Sequence, residues 1–408
     1  MEQIKTVEIK DICLGIYEGP HATPKNSDTG GIYLGIPALD PKGFIDYSRA
    51  KRIAEEDLPL WTKRVTPQED DIVFTNEATL NLYAIIPANF HGCLGRRLGL
   101  IRPNKDLVNV KYLFYYFFSP EWRETVAKNK VSGATVDRIL MTKFPSFPVA
   151  LPSLKTQERI ANILSVIDAK IEVNRQINDN LEQQLQSLYR EWFIENPKTE
   201  WATVNLSEIA TFTSGYSYKG NELVENSDTA MATIKNFERN GGFKIDGYKP
   251  IVPSSKLKAE QRAQLFDILV AHTDLTQNAE VIGNAEILLS KGIYKDLIFS
   301  MDLVKVNAKE SFPFQYLLAL LLKNPRFKSH CIGYVNGTTV LHMNKRALPD
   351  YETIIPSMED ALNLNSTAKA IFCQMSENLT EISNLIQLRD TLLPRLMSGE
   401  LKINEIDC

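Results

Sequence analysis

The sequence predicts an α+β protein with two similar mixed α/β domains, separated by two long antiparallel helices that pair as a coiled coil. Three observations support this fold class: the chain repeats itself at a domain-sized spacing, each copy opens with short strand-like runs, and each copy ends in a long apolar helix pattern. With 408 residues, 44% of them hydrophobic, the chain can build two sizeable cores. Antiparallel pairing would relate the copies by a pseudo-twofold axis.

Two similar loops reveal the repeat: VSGATV begins at Val131 and VNGTTV begins at Val335, 204 positions later. LPSL from Leu151 and IPSM from Ile355 keep the same spacing. Near the start of each copy, VEIKDI and VNLSEI are 197 positions apart, so the second copy carries seven extra residues before its middle. A period of this length indicates a duplicated domain rather than a solenoid.

The repeat divides the chain into four segments. We expect a first mixed domain at 1–150, a first long helix at 151–198, a second mixed domain at 199–350 and a second long helix at 351–408. Alternating or β-branched runs predict strands, among them VEIKDICLGI, GGIYLGI and DIVFT in the first domain and MATIKNF, DILVAHT and IFSMDLVKVN in the second. Apolar segments from Tyr112 and Tyr316 predict helices that stop at Ser-Pro and Asn-Pro.

The two long helices show the 4-3 apolar alternation of a coiled-coil seam. A helix of about 37 residues measures roughly 55 Å at ~1.5 Å per residue, more than a small domain needs. We therefore predict that the helices pair with each other, although each could instead pack on its own domain. The predicted helix-pairing residues are Ile160, Leu164, Ile167, Ile171, Leu181, Leu185, Leu188, Trp192, Phe372, Met375, Leu379, Ile382, Ile386, Leu393 and Leu396.

Polar residues interrupt both seams. Asn174 and Asn178 occupy the two middle positions of the first seam, and Arg389 breaks the second. Polar residues at such positions fix the register of paired helices. The asparagines could equally be exposed to a partner protein.

Composition excludes several classes of protein. The opening MEQIKTVEIK predicts no signal peptide, and the longest apolar stretch, around Phe312 to Leu322, is too short to span a bilayer. Five cysteines without paired spacing favour a reduced cytoplasmic protein that has neither zinc nor structural disulfides. The net charge of −4 weakens the case for DNA binding, because phosphate contacts need cations. An acidic chain can still present basic local surfaces.

Both long helical segments resemble those of one known family. LPSLKTQERIANILSVIDAKIEVNRQINDNLEQQLQSLYREWF, from Leu151, resembles the central conserved region of the specificity subunit of type I restriction-modification enzymes. LIQLRDTLLPRLMSGEL, from Leu385, is similar to the C-terminal ending of that family, and TSGYSYKG, from Thr213, resembles the opening of a target-recognition domain. The second long helix departs from the pattern because it lacks the Gln-Glu-Arg-Ile start of the first.

The resemblance implies a non-catalytic protein that selects a sequence on double-stranded DNA. Each domain would be a target-recognition domain that reads one half of a split, asymmetric site, and the paired helices would set the spacer and dock two modification subunits. In this family those subunits carry S-adenosylmethionine and methylate adenine at N6, and a nuclease and translocase subunit joins for restriction. The chain itself would hold no cofactor and no metal, and no membrane partner is implied.

Polar residues in the expected loops are the candidates for DNA contacts, because arginine, asparagine and lysine pair with purine edges or hold phosphates. The predicted DNA-binding residues are Asn76, Thr79, Arg96, Arg97 and Arg138 in the first domain and Tyr216, Tyr218, Lys219, Lys235, Asn236, Thr273, Thr276 and Asn278 in the second. In the repeated loops, Gly133 and Gly337 most simply allow a tight turn, with Thr135 and Thr339 bonding the backbone, although DNA contact stays an alternative.

Two other classes of function stay open. As an enzyme the chain lacks recognisable parts: NPRF from Asn324 resembles a methyltransferase loop but follows no glycine-rich cofactor loop, and PDYE from Pro349 lacks the acidic-x-lysine of a nuclease. Cys331 and Cys373 have no motif around them and are interpreted as core thiols. A protein-interaction scaffold would share the paired helices but would need no DNA-reading loops.

Overall fold

A computed structural model of the chain describes residues 4–132, 136–239, 241–276, 278–338 and 340–401. The expectations for Gly133, Thr135 and Thr339 fall outside these ranges. The chain forms two compact units, one of Met1–Ala169 with Ile386–Cys408 and the other of Lys170–Leu385. Each unit holds one mixed domain and a part of both long helices. The four-segment boundaries drawn from the sequence stay a prediction.

The first copy of the repeat runs from a short strand to the end of the first long helix. Its strands are β1 (Lys5–Glu8), β2 (Cys13–Glu18), β3 (Gly31–Leu34), β4 (Lys51–Ile53), β5 (Ile72–Thr75), β6 (Tyr83–Ile85), β7 (Gly92–Leu94), β8 (Leu98–Pro103), β9 (Lys130–Ser132), β10 (Asp137–Ile139) and β11 (Pro148–Leu151). Its helices are α1 (Leu58–Trp61), α2 (Val110–Tyr116), α3 (Pro120–Asn129) and α4 (Leu154–Arg190).

The second copy has the same plan and ends in the second long helix. Its strands are β12 (Ala202–Asn205), β13 (Ala210–Ser214), β14 (Thr229–Ala232), β15 (Lys249–Pro250), β16 (Ile268–Ala271), β17 (Thr273–Asp274), β18 (Ala285–Ile287), β19 (Asp296–Phe299), β20 (Leu303–Ala308), β21 (Val335–Asn336), β22 (Leu341–Met343) and β23 (Glu352–Ile355). Its helices are α5 (Leu206–Ile209), α6 (Gln315–Leu322), α7 (Pro325–Ile332) and α8 (Met358–Met397).

Two sheets of each domain match strand for strand. A four-stranded sheet has the order β2-β8-β5-β6 in the first domain and β13-β20-β16-β18 in the second. A three-stranded sheet has the order β4-β3-β7 in one and β15-β14-β19 in the other. In each copy the opening strand pairs antiparallel with the strand before the long helix, β1 with β11 and β12 with β23. The predicted duplication and α+β fold class are confirmed.

A glycine at one equivalent position lets two backbone segments approach in both domains. Gly19 follows β2 and Gly215 follows β13. A Cβ atom at Gly19 would collide with the carbonyl oxygen of Gly95, and one at Gly215 would collide with that of Ser300. Only glycine leaves room for these backbone contacts.

The Ser-Pro and Asn-Pro sequences end one helix and also begin another. α2 and α6 end before them as expected, but α3 and α7 start at Pro120 and Pro325. The Ser119 hydroxyl accepts a hydrogen bond from the Trp122 amide at 3.2 Å, so Ser119 caps α3. Asn324 caps α7 in the same way, which fits the preference for a capping side chain followed by proline.

The long helices pair antiparallel within each unit. In the first unit, Ile160 and Leu164 of α4 share one apolar core with Leu393 and Leu396 of α8. In the second unit, Leu185 shares a core with α8 residues that include Phe372 and Met375. Both cores also contain domain residues, so the helices pack on each other and on the domains at the same time. No helix in the described part of the chain is long and apolar enough to cross a membrane.

The second long helix begins at the same repeat position as the first, although its sequence departs from the family pattern. In the first copy, the buried Gln157 side chain accepts a hydrogen bond from the Asn109 amide at 2.8 Å, at the start of α2. In the second copy, Asn365, one helical turn further along α8, accepts from the amides of Tyr316 and Leu317 at 3.0 and 3.1 Å. A different residue therefore holds the equivalent helix start.

Candidate functional site

Three backbone segments meet at one point in the first domain, which we call the first junction: residues 76–79 after β5, residues 96 and 97 before β8, and β10. The Asn76 amide donates to the Arg97 carbonyl at 3.1 Å. The Ile139 amide donates to the Asn76 carbonyl, and the Ala78 amide to the Asp137 carbonyl, both at 2.8 Å. Five predicted DNA-binding residues, Asn76, Thr79, Arg96, Arg97 and Arg138, thus come together.

Charged side chains surround the first junction. The Arg97 Nε atom lies 3.1 Å from a Glu77 carboxylate oxygen, and the Lys130 Nζ atom lies 2.6 Å from Asp137. Arg96 and Arg138 are exposed. Ala78 and Arg97 have φ angles of 68° and 74°, a conformation uncommon for residues other than glycine, which fixes where the Arg97 side chain starts.

The second domain repeats this backbone arrangement in the second junction, formed by residues 272–276, residue 302 and β22. The His272 amide donates to the Asp302 carbonyl at 2.8 Å, and the Met343 amide donates to the His272 carbonyl at 2.9 Å. Thr273 pairs with His342 across β17 and β22, as Glu77 pairs with Arg138. The frame of the two junctions is therefore the same.

The side chains of the second junction are different. The Thr273 hydroxyl donates to Asp302 at 3.0 Å, and the Thr276 hydroxyl donates to Asp274 at 2.9 Å. Burial lowers the pKa of His272, with His342 and Lys345 contributing and Asp302 opposing. His342 and Lys345 are exposed. Imidazole and hydroxyl groups thus replace the arginines of the first junction.

Four of the predicted DNA-binding residues have buried side chains. Asn76, Tyr216, Asn236 and Thr273 are each at most 4% exposed. The Tyr216 hydroxyl bonds to the Glu222 carboxylate at 3.0 Å, and the Asn236 amide donates to the Lys244 carbonyl at 2.6 Å. The Asn76 side-chain Nδ2 atom donates to Glu18 at 3.1 Å, and its side-chain Oδ1 atom accepts no hydrogen bond from a described residue. These side chains brace loops inside the domains.

The other predicted DNA-binding residues retain solvent exposure. Thr79, Arg96, Arg138, Lys219, Lys235 and Asn278 are exposed, and Arg97, Tyr218 and Thr276 are partly exposed. In the second domain, Thr276 and Asn278 follow β17 at the second junction, whereas Lys219 and Lys235 lie near the 3-10 turns Gly220–Glu222 and Ile234–Asn236. Whether these residues contact DNA stays a prediction.

Residues in or beside the second junction that the sequence-based choice misses include His272, His342 and Lys345. A signal for one of them exists, because His342 lies 204 positions after Arg138, the spacing that defines the repeat. Taking the residue 204 positions after each first-domain candidate identifies His342.

The predicted helix-pairing residues all avoid the exposed surface. Ten are buried, and Leu181, Leu188, Trp192, Leu379 and Ile386 are partly buried. In the second unit, Asn174 donates to Glu381 at 2.7 Å, and Asn378 donates to Asn178 at 2.8 Å. The asparagines therefore face the other helix. In the first unit, Arg389 lies 3.0 Å from Asp168, so the residue that breaks one seam forms an ion pair with the other helix.

The groups considered for catalysis are unremarkable in their surroundings. Cys331 is fully buried, and burial raises the pKa of its thiol to about 12, which disfavours the reactive thiolate. Within the described residues, no cluster of histidine, cysteine, aspartate and glutamate is arranged to hold a metal ion.

Several known proteins are similar to this chain in sequence, and one solved structure is similar to it in fold. Residues 1–183 match the type I restriction modification DNA specificity domain. The chain is 24% identical over 367 residues to the type I restriction enzyme HindI specificity subunit of Haemophilus influenzae, covering 74% of this chain and 80% of that one. It is 25% identical over 396 residues to the MjaIX specificity subunit of Methanocaldococcus jannaschii, covering 91% and 88%.

A solved structure defines the class of fold. The S subunit of a type I restriction-modification system from M. genitalium has a TM-score of 0.58 and 16% identity to this chain, covering 97% of it and 96% of the solved chain. The fold of two mixed domains with a pair of long helices is thus the fold of an S subunit. The resemblance seen in the sequence is confirmed: the chain is similar to specificity subunits of type I restriction-modification enzymes over most of its length, and residues 1–183 match the specificity domain.

Proposed function

We propose that this chain selects the DNA sequence for a type I restriction-modification enzyme, with each domain reading one half of a bipartite, asymmetric site. The observation that carries the proposal is the pair of junctions, which share backbone hydrogen bonds but differ in side chains. Two domains with the same backbone arrangement but different side chains at the junction would recognise two different half-sites. A cytoplasmic location, which the cysteine content predicts, goes with this function.

Local charge supports DNA as the ligand despite the net charge of −4. The first junction exposes Arg96 and Arg138, and Lys345 is exposed two residues after β22, beside the second junction. Cations concentrated on a small surface can hold phosphates even when the whole chain is acidic.

The paired helices in this proposal set the spacer between the half-sites and dock two modification subunits. Their register is supported by the Asp168 to Arg389 ion pair in one unit and by Asn174 and Asn178 in the other. Val166 and Val173 leave apolar surface exposed on α4, 68% and 47% respectively, which suits contact with a partner helix. Restriction and translocase subunits would join through the modification subunits.

The chain would do no chemistry of its own. In this proposal the modification subunits hold S-adenosylmethionine and transfer the methyl group to adenine, and the present chain contributes only placement. Incorporation of methyl groups by the isolated chain would contradict this and would favour the enzyme alternative.

A domain exchange tests the proposed division of labour. Residues 204–350 would be replaced by the second domain of another specificity subunit, and methylated adenines would be mapped in DNA from cells that hold the chain with its modification subunits. We expect one half of the recognised sequence to change and the other half to persist. A change in both halves would show that the domains do not read independently.

A helix insertion tests the spacer. Four residues added to both long helices lengthen each by about one turn, ~5.4 Å, which corresponds to roughly one or two base pairs. We expect a longer spacer with both half-sequences unchanged. An altered half-sequence with an unaltered spacer would contradict the proposal.

Salt dependence separates DNA recognition from the scaffold alternative. Binding of the complex to random duplex DNA should weaken as salt rises, because phosphate contacts release counterions. Binding without a salt slope would favour a scaffold.

A further inference from the structure

Arg138 and His342 occupy equivalent positions in the two junctions. Arg138 is the middle residue of β10 and pairs with Glu77, and His342 is the middle residue of β22 and pairs with Thr273. The two residues lie 204 positions apart, the spacing of the repeat. The fold thus presents one side chain at the same place in each domain.

Strand alternation turns both side chains outward. Ile139 beside Arg138 is 3% exposed, and Leu341 and Met343 on either side of His342 are 7% and 2% exposed. Since neighbouring residues on a strand point to opposite faces, their burial leaves Arg138 and His342 facing solvent.

The acidic groups near Arg138 are already occupied. Glu77 lies 3.1 Å from Arg97, and Asp137 lies 2.6 Å from Lys130. Within the described residues, Arg138 itself forms no ion pair. An exposed guanidinium with free donors can bind an acceptor from outside the chain.

The same holds beside His342. Asp302 accepts hydrogen bonds from Thr273 at 3.0 Å and from Ser300 at 3.3 Å. Asp274 accepts from Thr276 and from the Val281 amide, the latter at 2.7 Å. The carboxylates of the second junction thus serve their own loop, and the imidazole stays exposed.

We propose that Arg138 and His342 read a base edge of double-stranded DNA, one in each half-site. This inference rests on the proposed function and assigns its specificity to one position per domain. A guanidinium donates two parallel hydrogen bonds to the O6 and N7 atoms of guanine. An imidazole cannot donate two parallel hydrogen bonds in this geometry, so it favours a different base pattern. Two different residues in one frame give two different half-sites.

The test exchanges the two side chains, Arg138→His in one variant and His342→Arg in another. Each variant is assembled with the modification subunits, and methylated adenines are mapped genome-wide. We expect Arg138→His to change the base preferred at one position of one half-site and His342→Arg to change one position of the other. Discrimination at the affected position should shift roughly 5- to 150-fold, the value of one bidentate base contact.

A matched control is Arg123→His, which alters an exposed arginine on α3 of the same domain that is not one of the residues forming the first junction. It should leave both half-sites unchanged, and thermal unfolding of all three variants should match the parent. Equal weakening on every sequence would identify a phosphate contact and would overturn base reading. Unchanged half-sites in both exchange variants, alongside a domain exchange that does alter one, would also overturn it. If the parent complex methylates no defined sequence, the proposed function itself fails.

Discussion

At one set of three repeat positions, the first domain contacts the long helices through polar side chains and the second through apolar ones. In the first unit, the Tyr115 hydroxyl donates to Asp168 of α4 at 2.7 Å, and Arg389 of α8 lies 3.0 Å from that carboxylate. The positions 204 residues away are Ala319, Phe372 and Leu185, all buried in one core of the second unit. Burial and then Asp168 raise the pKa of Tyr115, so its hydroxyl remains a donor.

The second unit places its polar attachment elsewhere. Lys323, at the end of α6, lies 2.5 Å from Glu286 of β18 and 3.2 Å from Glu182 of α4. The two copies therefore use equivalent elements to contact the long helices, but the side chains that make the contacts differ. Substitutions in each unit can weaken these contacts one at a time. Three tests of the contacts follow, and a fourth concerns the junctions.

The largest effect is expected from Lys323→Met. Burial alone would lower the pKa of Lys323, but Glu286 and Glu182 outweigh it and raise the pKa, so the side chain is charged. Its removal leaves Glu286, only 5% exposed, without a counter-ion. Breaking a buried ion pair costs about 3–5 kcal/mol. Hydrogen exchange of the β16 and β20 amides should report this loss in the second unit.

Two controls sharpen the Lys323 test. Lys256→Met removes an exposed lysine of the same domain and should change stability by less than about 0.5 kcal/mol. Lys323→Met combined with Glu286→Gln should recover part of the loss, because the uncompensated charge is gone. Equal stability of Lys323→Met and the parent would show that the ion pairs contribute nothing to the attachment.

A smaller loss is expected from Arg389→Leu, which places the equivalent residue of the second unit in the first. Asp168 loses its cation but is partly exposed, with a side-chain exposure of 33%, so solvent screens the remaining charge. We expect a cost of about 1–2 kcal/mol in urea unfolding. In a double-mutant cycle with Asp168→Asn, the combined cost should fall below the sum of the single costs. Additive costs would mean that the two residues do not interact.

The sequence predicts the frame of this molecule better than its details. A duplicated spacing and a seven-residue apolar pattern depend only on residue order, so both domains and both long helices follow from them. The helices α3 and α7 cannot be predicted from these patterns, because a proline after an apolar helix indicates only that the helix ends. Their start depends on Ser119 and Asn324 as caps.

The candidate site is harder to predict because burial of a polar side chain depends on partners distant in sequence. Tyr216 is an expected DNA contact, yet Ser254, 38 positions away, binds its hydroxyl. His342 is the opposite case, since no motif marks it and only its equivalence to Arg138 does. The meeting of residues 76, 97 and 138 needs three strands to be placed in space, which single-sequence patterns do not provide.

In each unit, a side chain of a long helix binds the start of a domain helix: Gln157 of α4 binds the start of α2, and Asn365 of α8 binds the start of α6. Asn365 accepts hydrogen bonds from two α6 amides, whereas Gln157 accepts one from Asn109. Asn365→Ala should cost about 1 kcal/mol, the usual price of a lost helix cap, and Gln157→Ala should cost a comparable amount because Gln157 is buried. Urea unfolding of both variants measures this. A loss of stability in only one of the two variants would show that Asn365 and Gln157 do not stabilise their helix starts equally.

The smallest effect concerns the one junction that holds a partly buried imidazole. The pKa of His272 lies below its ordinary value of 6.5, first because of burial and then because of His342 and Lys345, with Asp302 opposing. Between the lowered pKa and 6.5 the unfolded chain binds more protons than the folded one. The stability that neutral His272 contributes is therefore full above about pH 6.5 and is lost as pH falls through the folded pKa.

His272→Gln should remove this contribution to the pH dependence of the second unit. The difference in unfolding free energy between parent and variant should shrink or reverse from pH 7 to pH 5, with a slope of at most about 1.4 kcal/mol per pH unit, since one proton is involved. Urea unfolding at several pH values measures it, and Lys256→Gln, which alters an exposed residue of the second domain that does not titrate between pH 5 and 7, serves as the control. A parent that gains stability relative to His272→Gln as pH falls would mean that Asp302 outweighs burial, His342 and Lys345, and the second junction would then resemble the ion-paired first junction.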